Sequence, residues 1–235
     1  MRASNLRAVA AANPASWITP ELLEEQRRAL PEHAFLRFHG NSPTAQREGA
    51  WLPPGAWQAC LGQPRFEPGE PIWVGVDVGA ERSHTAVVWI NASLHVGAAI
   101  WEGEQGILRA VERIEELAER YQLVEVVADP WRFGQAGLEL EQRGVTVVTW
   151  PQTDVRLVPA SQRLRDAVVE GRLVLPDDAR LAQHAANAVQ RHSRRGWRLD
   201  RPDRSSPIDG LIALCMALER CESRPEPVRL LGWLG

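Results

Sequence analysis

The sequence predicts an α/β domain whose mixed β-sheet is covered by helices on both faces, preceded by a helical N-terminal arm. Three β-branched, apolar segments follow one another between residues 72 and 101. Helix-like and strand-like segments then alternate as far as residue 221. Strands joined by short turns pair antiparallel, whereas strands joined through a helix pair parallel, so a single sheet would contain both kinds of pairing.

The first 68 residues are predicted to form the arm. A Thr-Pro pair at 19–20 is typical of a helix N-terminus, because threonine caps the helix and proline is tolerated in its first turn. Pro31 should end that helix. The motif "LPPGA" at 52–56 predicts a turn and a short helix that packs on the main domain. Three prolines and two glycines between 61 and 71 predict the domain boundary.

The main domain is predicted to span residues 69–222, and residues 223–235 form a tail. Its first strand lies at 73–80, where three valines at period two share one face. The elements expected after it are strands at 85–90 and 94–101, a helix at 106–120, a strand at 123–128, a helix at 131–143, a strand at 145–149, a helix at 160–171, a short strand at 172–175, a helix at 178–191, an arginine-rich loop or hairpin at 191–206 and a helix at 207–221.

Bulk composition indicates a globular protein of a reducing compartment. The apolar fraction of 44% and the charged fraction of 24% are typical of soluble domains. No apolar run approaches the roughly 18 residues of a membrane span, and the N-terminus does not have the pattern of a signal peptide. Three cysteines without a metal-ligand spacing favour the cytoplasm. The net charge of −3 argues against a uniformly basic nucleic-acid binder.

The chain contains no lysine, so all 27 of its basic residues are arginine. The P-loop motif G-x-x-x-x-G-K-[ST] places a lysine on the nucleotide phosphates. These 235 residues therefore carry no P-loop, and any ATP motor of that kind that works with them would lie on another chain.

Asp77 stands in the middle of a valine-rich strand. A buried carboxylate is costly unless it is paired, hydrogen-bonded or bound to a metal. Gly75 and Gly79 share its face, and we interpret them as leaving space for a ligand. The interpretation is a functional acid, and the alternative is an aspartate that accepts hydrogen bonds at a strand end.

Two further aspartates stand where ligand sites of α/β sheets form. Asp129 ends a strand and precedes Pro130, so it is either a site residue or the cap of the next helix. Asp209 is expected in the third position of the last helix, with Ser206 as cap and Pro207 as first residue. A carboxylate there is favoured by the helix dipole by about 0.3–1 kcal/mol, and it would also face the strand ends.

Together the three aspartates predict a site for two divalent cations. Ions about 3.5–4 Å apart clamp the attacking and leaving oxygens of a phosphodiester during hydrolysis. Carboxylate oxygens suit Mg²⁺ or Mn²⁺, and the sequence suggests no Cys/His cluster for zinc.

The order of elements resembles the RNase H-like nuclease fold, and the local sequence resembles the C-terminal nuclease domain of the phage large terminase subunit. The segments that carry the resemblance are "VGVDVGAERSHTAVVWI", "VEVVADPW", "VTVVTWPQT", "EGRLVLPDDARLAQHAANAV" and "GWRLDRPDRSSPIDGLIALCMAL". The arm resembles the segment that joins the terminase motor to its nuclease. By this resemblance Asp77, Asp129 and Asp209 are metal-binding and catalytic, and Arg201 stands where the family often has a lysine.

The resemblance implies a two-metal-ion endonuclease that cleaves concatemeric double-stranded DNA during genome packaging. The implied cofactors are two Mg²⁺ or Mn²⁺ ions, and the implied partners are the terminase small subunit, the portal protein and a separate ATPase motor, in the cytoplasm of a bacterial host. The family's N-terminal ATPase is absent from this sequence.

The arginine-rich segment at 191–206 is predicted to hold the DNA backbone beside the metal site, because arginine binds phosphates and an interleaved tryptophan can stack. The alternative is a solvated hairpin partly neutralised by Asp200 and Asp203. The residues predicted to bind DNA are Arg194, Arg195, Trp197, Arg198 and Arg201.

Other readings stay open from the sequence. Glu81 and His84 follow the first strand and either border the site or are merely exposed. An actin or sugar-kinase ATP site would need a second Asp-Gly-Gly hairpin and a Gly-rich adenosine turn, and the sequence has neither. A non-catalytic remnant that binds DNA or a packaging partner is the main alternative. A resolvase-type or transposase-type nuclease ranks lower.

Overall fold

The structure, a computed structural model, describes residues 19–29, 49–79 and 84–223, without the side chains of 25–29. The chain divides into two units between Ala50 and Trp51. In the first unit, helix α1 (Pro20–Ala29) begins as predicted, and the Thr19 hydroxyl accepts a hydrogen bond from the Leu22 amide at 3.3 Å. Pro31, the predicted end of this helix, lies outside the described residues.

In the described part of the chain, five strands form the sheet of the second unit, in the spatial order β3-β2-β1-β4-β5. The strands are β1 (Pro71–Val78), β2 (His84–Asn91), β3 (Val96–Glu102), β4 (Gln122–Ala128) and β5 (Val147–Thr149). The first three pair antiparallel, whereas β4 lies parallel to β1 and β5 lies parallel to β4. The predicted mixed sheet is confirmed, and the Asp77 strand is its centre.

Helices cover both faces of this sheet, as predicted. The helices are α2 (Ala56–Ala59), α3 (Gly106–Arg120), α4 (Pro130–Gln142), α5 (Asp154–Val169), α6 (Ala179–Asn187) and α7 (Asp209–Glu222). Val74 and Val76 of β1 belong to the core shared with α3 and α4. Trp73, on the other face of β1, belongs to the core shared with α5, α6 and α7. A separate hairpin consists of β6 (Val189–Ser193) and β7 (Gly196–Asp200).

Helix α7 lies directly against the face of β1 that carries Asp77. A Cβ atom added at Gly75 would stand 2.0 Å from the carbonyl oxygen of Ala213 in α7. The interpretation of Gly75 as space for a ligand was therefore wrong, because its missing side chain lets the helix approach the strand. This approach brings the first residue of α7 to the carboxyl end of β1.

Several predicted boundaries differ from the observed ones. Helix α5 begins at Asp154 rather than at 160, and it contains Pro159. The predicted strand at 172–175 is reduced to isolated bridges from Val174 to His95 and from Leu175 to Leu61. Helix α6 ends at Asn187 rather than 191, because the next residues turn into strand β6.

The second unit begins at Trp51, so the boundary predicted between 68 and 69 lies inside it. Trp51 and Trp57 are 3% and 6% exposed and belong to the core that contains α5 and α7. The Trp51 indole also donates a hydrogen bond to the carbonyl of Ala185 at 2.9 Å. The burial of these indoles agrees with the predicted packing of the short helix on the main domain, and the boundary at 61–71 stays a prediction.

Among the described residues, none of the helices has the length and apolar character needed to cross a membrane.

Candidate metal centre

A cavity of about 500 Å³ opens at the carboxyl ends of β1 and β4, and Asp77, Asp129 and Asp209 all line it. Asp77 is near the end of β1, Asp129 directly follows β4, and Asp209 begins α7. The parallel pairing of β1 with β4 places their carboxyl ends at the same edge. The structure thus brings the three predicted residues together, while their metal-binding role stays a prediction.

Asp77 is the most constrained of the three acids. Its side chain is buried, with 7% of its surface exposed, and its Oδ1 accepts a hydrogen bond from Nε2 of Gln152 at 2.7 Å. Its pKa is raised to about 8, first by burial and then by the nearby carboxylate of Asp209, with a further contribution from Asp129, while Gln152 and Arg132 oppose the shift. An anionic Asp77 therefore needs a cation beside it.

Asp129 caps a helix, as one of its two predicted alternatives required, and it also lines the cavity, while its role as a site residue stays a prediction. It is the N-cap of α4, where its Oδ1 accepts a hydrogen bond from the Trp131 amide at 2.8 Å. The same side chain lines the cavity. The capping bond fixes the carboxylate at the end of β4 and leaves its second oxygen for a ligand.

Asp209 is the first residue of α7 rather than the third, and Ile208 precedes it as N-cap. Ser206 does not cap this helix, because its hydroxyl donates to Oδ1 of Asp203 at 3.1 Å. Asp209 is buried, which raises its pKa, while its own backbone amide, His84 and Arg201 favour the anion. Its own backbone amide, at the first position of α7, thus favours the anionic carboxylate at the cavity.

A histidine pair lies on the other side of Asp209, contrary to our expectation of no such cluster. His84, His184 and Asp209 each offer one ligand atom, and these atoms lie within 4.8 Å of one another. Burial, followed by the neighbouring His84, lowers the pKa of His184 to about 4. The two histidines are 100 positions apart in sequence, and no local pattern joins them.

Three residues of the cavity were missed by the sequence analysis. Gln152 holds Asp77, Arg132 lines the wall, and Trp131 stands at the cavity with 90% of its surface exposed. Each of them follows the carboxyl end of a strand parallel to β1, and that position was the available signal.

The predicted arginine hairpin is present, and it splits into two parts. Arg198 and Arg201 line the cavity, whereas Arg194 and Arg195 form the exposed turn between β6 and β7. Arg198 is paired with Asp154 and with Asp200, both at 3.1 Å. The partial neutralisation by Asp200 that the alternative required is therefore observed.

Trp197 packs inward from this hairpin rather than towards solvent. It is half-buried against the main core, and its indole nitrogen donates to Oε1 of Gln162 in α5 at 3.0 Å. These contacts attach the hairpin to α5. A DNA contact by Trp197 stays a prediction, and the exposed tryptophan beside the cavity is Trp131.

No protein-family model matches the sequence, and no curated protein matches it significantly. Solved structures do match the fold. The large terminase nuclease of thermophilic phage G20c superposes with a TM-score of 0.60 at 16% identity, over 73% of this chain and 98% of that one. The same nuclease with bound magnesium gives 0.58 at 17% identity, over 74% and 98%.

The large terminase of bacteriophage HK97 superposes with a TM-score of 0.61 at 19% identity, over 90% of this chain. The matched region is 53% of that protein, so the present chain spans about half of its length. These structures confirm the predicted fold: the chain has the RNase H-like α/β architecture of phage large terminase nuclease domains.

Proposed function

We propose that the chain is a metal-dependent endonuclease that hydrolyses phosphodiester bonds of double-stranded DNA during phage genome packaging. One observation carries this proposal. Asp77, Asp129 and Asp209, from three separate elements, converge in one cavity at the strand ends. The likeness of the fold to terminase nuclease domains supports the same reaction class.

The donor set of the cavity fits divalent cations. Three carboxylates share one cavity, and the proximity of Asp209 and Asp129 contributes to the raised pKa of Asp77. Such mutual repulsion is relieved by a bound cation, and hard carboxylate oxygens suit Mg²⁺ or Mn²⁺. A pair of these ions, when bound, would supply Lewis-acid stabilisation of the charge that develops on the scissile phosphate and its leaving oxygen.

The chain's own residues orient this site. Gln152 fixes the Asp77 carboxylate, the α4 amide of Trp131 fixes Asp129, and the start of α7 fixes Asp209. Preorganised charges of this kind do not have to reorient as the reaction proceeds. Arg132, Arg198 and Arg201 line the cavity, and through them the DNA phosphates beside the cleaved bond would be held.

The exposed arginines extend this surface away from the cavity. Arg194 and Arg195, at the hairpin turn, would contact the backbone at a distance from the cut and position the duplex without reading its sequence. Trp131, exposed beside the cavity, is suited to stacking on a base or sugar. The partners would be those of a packaging complex, namely a small terminase subunit, a portal protein and a separate motor.

Cleavage of supercoiled plasmid tests the proposal directly. We expect nicking and linearisation with Mg²⁺ or Mn²⁺ and none with EDTA. Asp77→Asn should abolish cutting, because it removes a charged ligand oxygen. Asp177→Asn is the matched control, since Asp177 is exposed and does not line the cavity.

Two outcomes would contradict the proposal. Wild-type cleavage rates in purified, folded Asp77→Asn would place the active site elsewhere. Tight DNA binding by the wild type without cleavage in either metal would favour the alternative of a non-catalytic DNA-binding module.

A further inference from the structure

The His84–His184 cluster adjoins the aspartate cavity through a shared residue. Asp209 lines the cavity and also contributes a ligand atom to the group that includes both histidines. Within this group the atoms lie no more than 4.8 Å apart, a spacing that one ion can close with small side-chain movements. The proposed nuclease site does not use either histidine.

The two ring nitrogens of His84 have different surroundings, one beside a carboxylate and the other without a partner among the described residues. Its Nε2 lies 3.1 Å from Oε1 of Glu102, the last residue of β3. A proton on Nε2 satisfies this carboxylate, so in the neutral ring the lone pair is on Nδ1. Nδ1 is buried and has no hydrogen-bond partner among the described residues. Ligating histidines commonly donate their other ring N–H to a carboxylate in this way.

His184 is oriented differently. Its Nδ1 accepts a hydrogen bond from the Gly210 amide at 2.9 Å, so that lone pair is already used. Its ring packs edge-on against His84, with centroids 5.0 Å apart and planes at 85°. His184 therefore supports the start of α7 and the ring of His84, and His84 is the histidine with a lone pair to give.

We propose that Nδ1 of His84 and a carboxylate oxygen of Asp209 bind a divalent transition-metal ion, with Glu102 orienting the imidazole. An imidazole donor favours ions such as Zn²⁺ and Co²⁺ over Mg²⁺ and Ca²⁺. Two protein ligands leave coordination positions for water or for a phosphate oxygen of DNA. This site deepens the proposed function by sharing Asp209 with it, but ion binding here does not depend on cleavage.

The test is Zn²⁺ binding to full-length protein labelled with ¹⁵N in its six histidines. A stoichiometric addition of Zn²⁺ should move the Nδ1 resonance of His84, whereas Mg²⁺ should leave it in place. An unmoved His84 resonance at saturating Zn²⁺ would overturn the proposal without the need for any variant.

Variants then assign the ligand. His84→Gln should lower the Zn²⁺ affinity measured by calorimetry at least tenfold. Glu102→Gln should lower it by about 10–100-fold, the range typical of a carboxylate that orients a ligating histidine. His192→Gln is the matched control, because His192 is exposed on β6. Unchanged affinity in folded His84→Gln, or a loss confined to His184→Asn, would overturn the assignment.

The outcome is separable from that of the proposed nuclease. Asp77→Asn should abolish plasmid cutting and still show the Zn²⁺-dependent change of the His84 resonance. Asp77 lines the cavity but is not a member of the histidine cluster. A wild type that binds Zn²⁺ at His84 but never cuts DNA would remove the nuclease proposal and support this one. A wild type that cuts DNA but whose His84 resonance does not respond to Zn²⁺ would support the nuclease proposal and overturn the proposed His84 site.

Discussion

The aspartate cavity and the β6–β7 hairpin are both rich in charge, but they deal with it in opposite ways. In the cavity, carboxylates are gathered next to one another, two of them buried, and the pKa of Asp77 rises to about 8. In the hairpin, Arg191 and Arg198 pair with Asp200 at distances of 2.5 and 3.1 Å. In the hairpin, two exposed or half-exposed arginines thus have a carboxylate partner, whereas in the cavity the buried Asp77 carboxylate stands beside two other carboxylates.

This difference separates charge that has a structural cost from charge that has almost none. Exposed ion pairs contribute about 0–1 kcal/mol, so the hairpin can lose one with little effect on stability. Buried like charges oppose folding, so carboxylates that are kept close together in a buried site indicate a functional role rather than a stabilising one. The contrast predicts large functional effects at the cavity and small, electrostatic ones at the hairpin.

The largest combined effect, on both sites at once, is expected for Asp209→Asn. Asp209 belongs both to the cavity and to the histidine cluster, so its loss should reduce plasmid cleavage by about 10²–10³-fold or more, the scale of one preorganised electrostatic group. It should also weaken Zn²⁺ binding at His84. Initial cleavage rates and calorimetry measure the two effects. Loss of only one of them would show that the sites are not coupled through this residue.

A second expectation concerns stability and pH in metal-free protein. The folded pKa of Asp77 lies near 8, above its unfolded value of 3.8, so the folded chain keeps a proton that the unfolded chain releases between these limits. The free energy of unfolding should therefore fall as pH rises from 3.8 to about 8. Each pKa unit corresponds to about 1.4 kcal/mol, so a change of a few kcal/mol is expected.

Urea unfolding in EDTA at several pH values measures this slope. Asp77→Asn should flatten it and should be more stable than wild type at pH 8, where wild-type Asp77 faces Asp209 and Asp129 with only Gln152 and Arg132 in opposition. Addition of Mg²⁺ should restore wild-type stability at high pH. A wild-type slope in Asp77→Asn would mean that other groups set it.

A smaller effect is expected at the hairpin turn. Replacing Arg194 and Arg195 with Ala should weaken DNA binding about equally across sequences and flatten its salt dependence by about one unit per lost phosphate contact. Stability should not change, because both residues are exposed. Fluorescence anisotropy over a salt series measures the slope. An unchanged slope would show that the two arginines of the turn do not contact DNA phosphates.

The smallest effect is expected for removal of residues 1–50. The second unit starts at Trp51, so this deletion should leave cleavage intact and independent of ATP, since the chain has no P-loop lysine. Deletion of residues 1–68 is the contrast, because it removes Trp51 and Trp57 from the core and should unfold the domain. Circular dichroism and plasmid cleavage distinguish the two. Loss of cutting in a folded 51–235 fragment would place part of the active unit in the first 50 residues.

The sequence was informative where the role of a residue could be predicted from the residues next to it. Asp77 interrupts a valine strand, and Asp129 ends one before a proline, so a local anomaly marks each. It was less informative where the role of a residue depends on a contact with a residue far away in the sequence. Gln152 reaches Asp77 across 75 positions, and Trp51 is buried 134 positions from its hydrogen-bond partner Ala185.

By itself, the sequence determined the order of strands and helices, the mixed sheet and the three aspartates, because hydrophobic periodicity and strand-end positions are local properties. Only the tertiary structure decided that Gly75 admits a helix instead of a ligand, and that His84 meets His184 beside Asp209. The physical reason is that these features depend on how closely α7 approaches β1. The distance between α7 and β1 is set by the packing of the whole core, so it cannot be predicted from any short segment of the sequence.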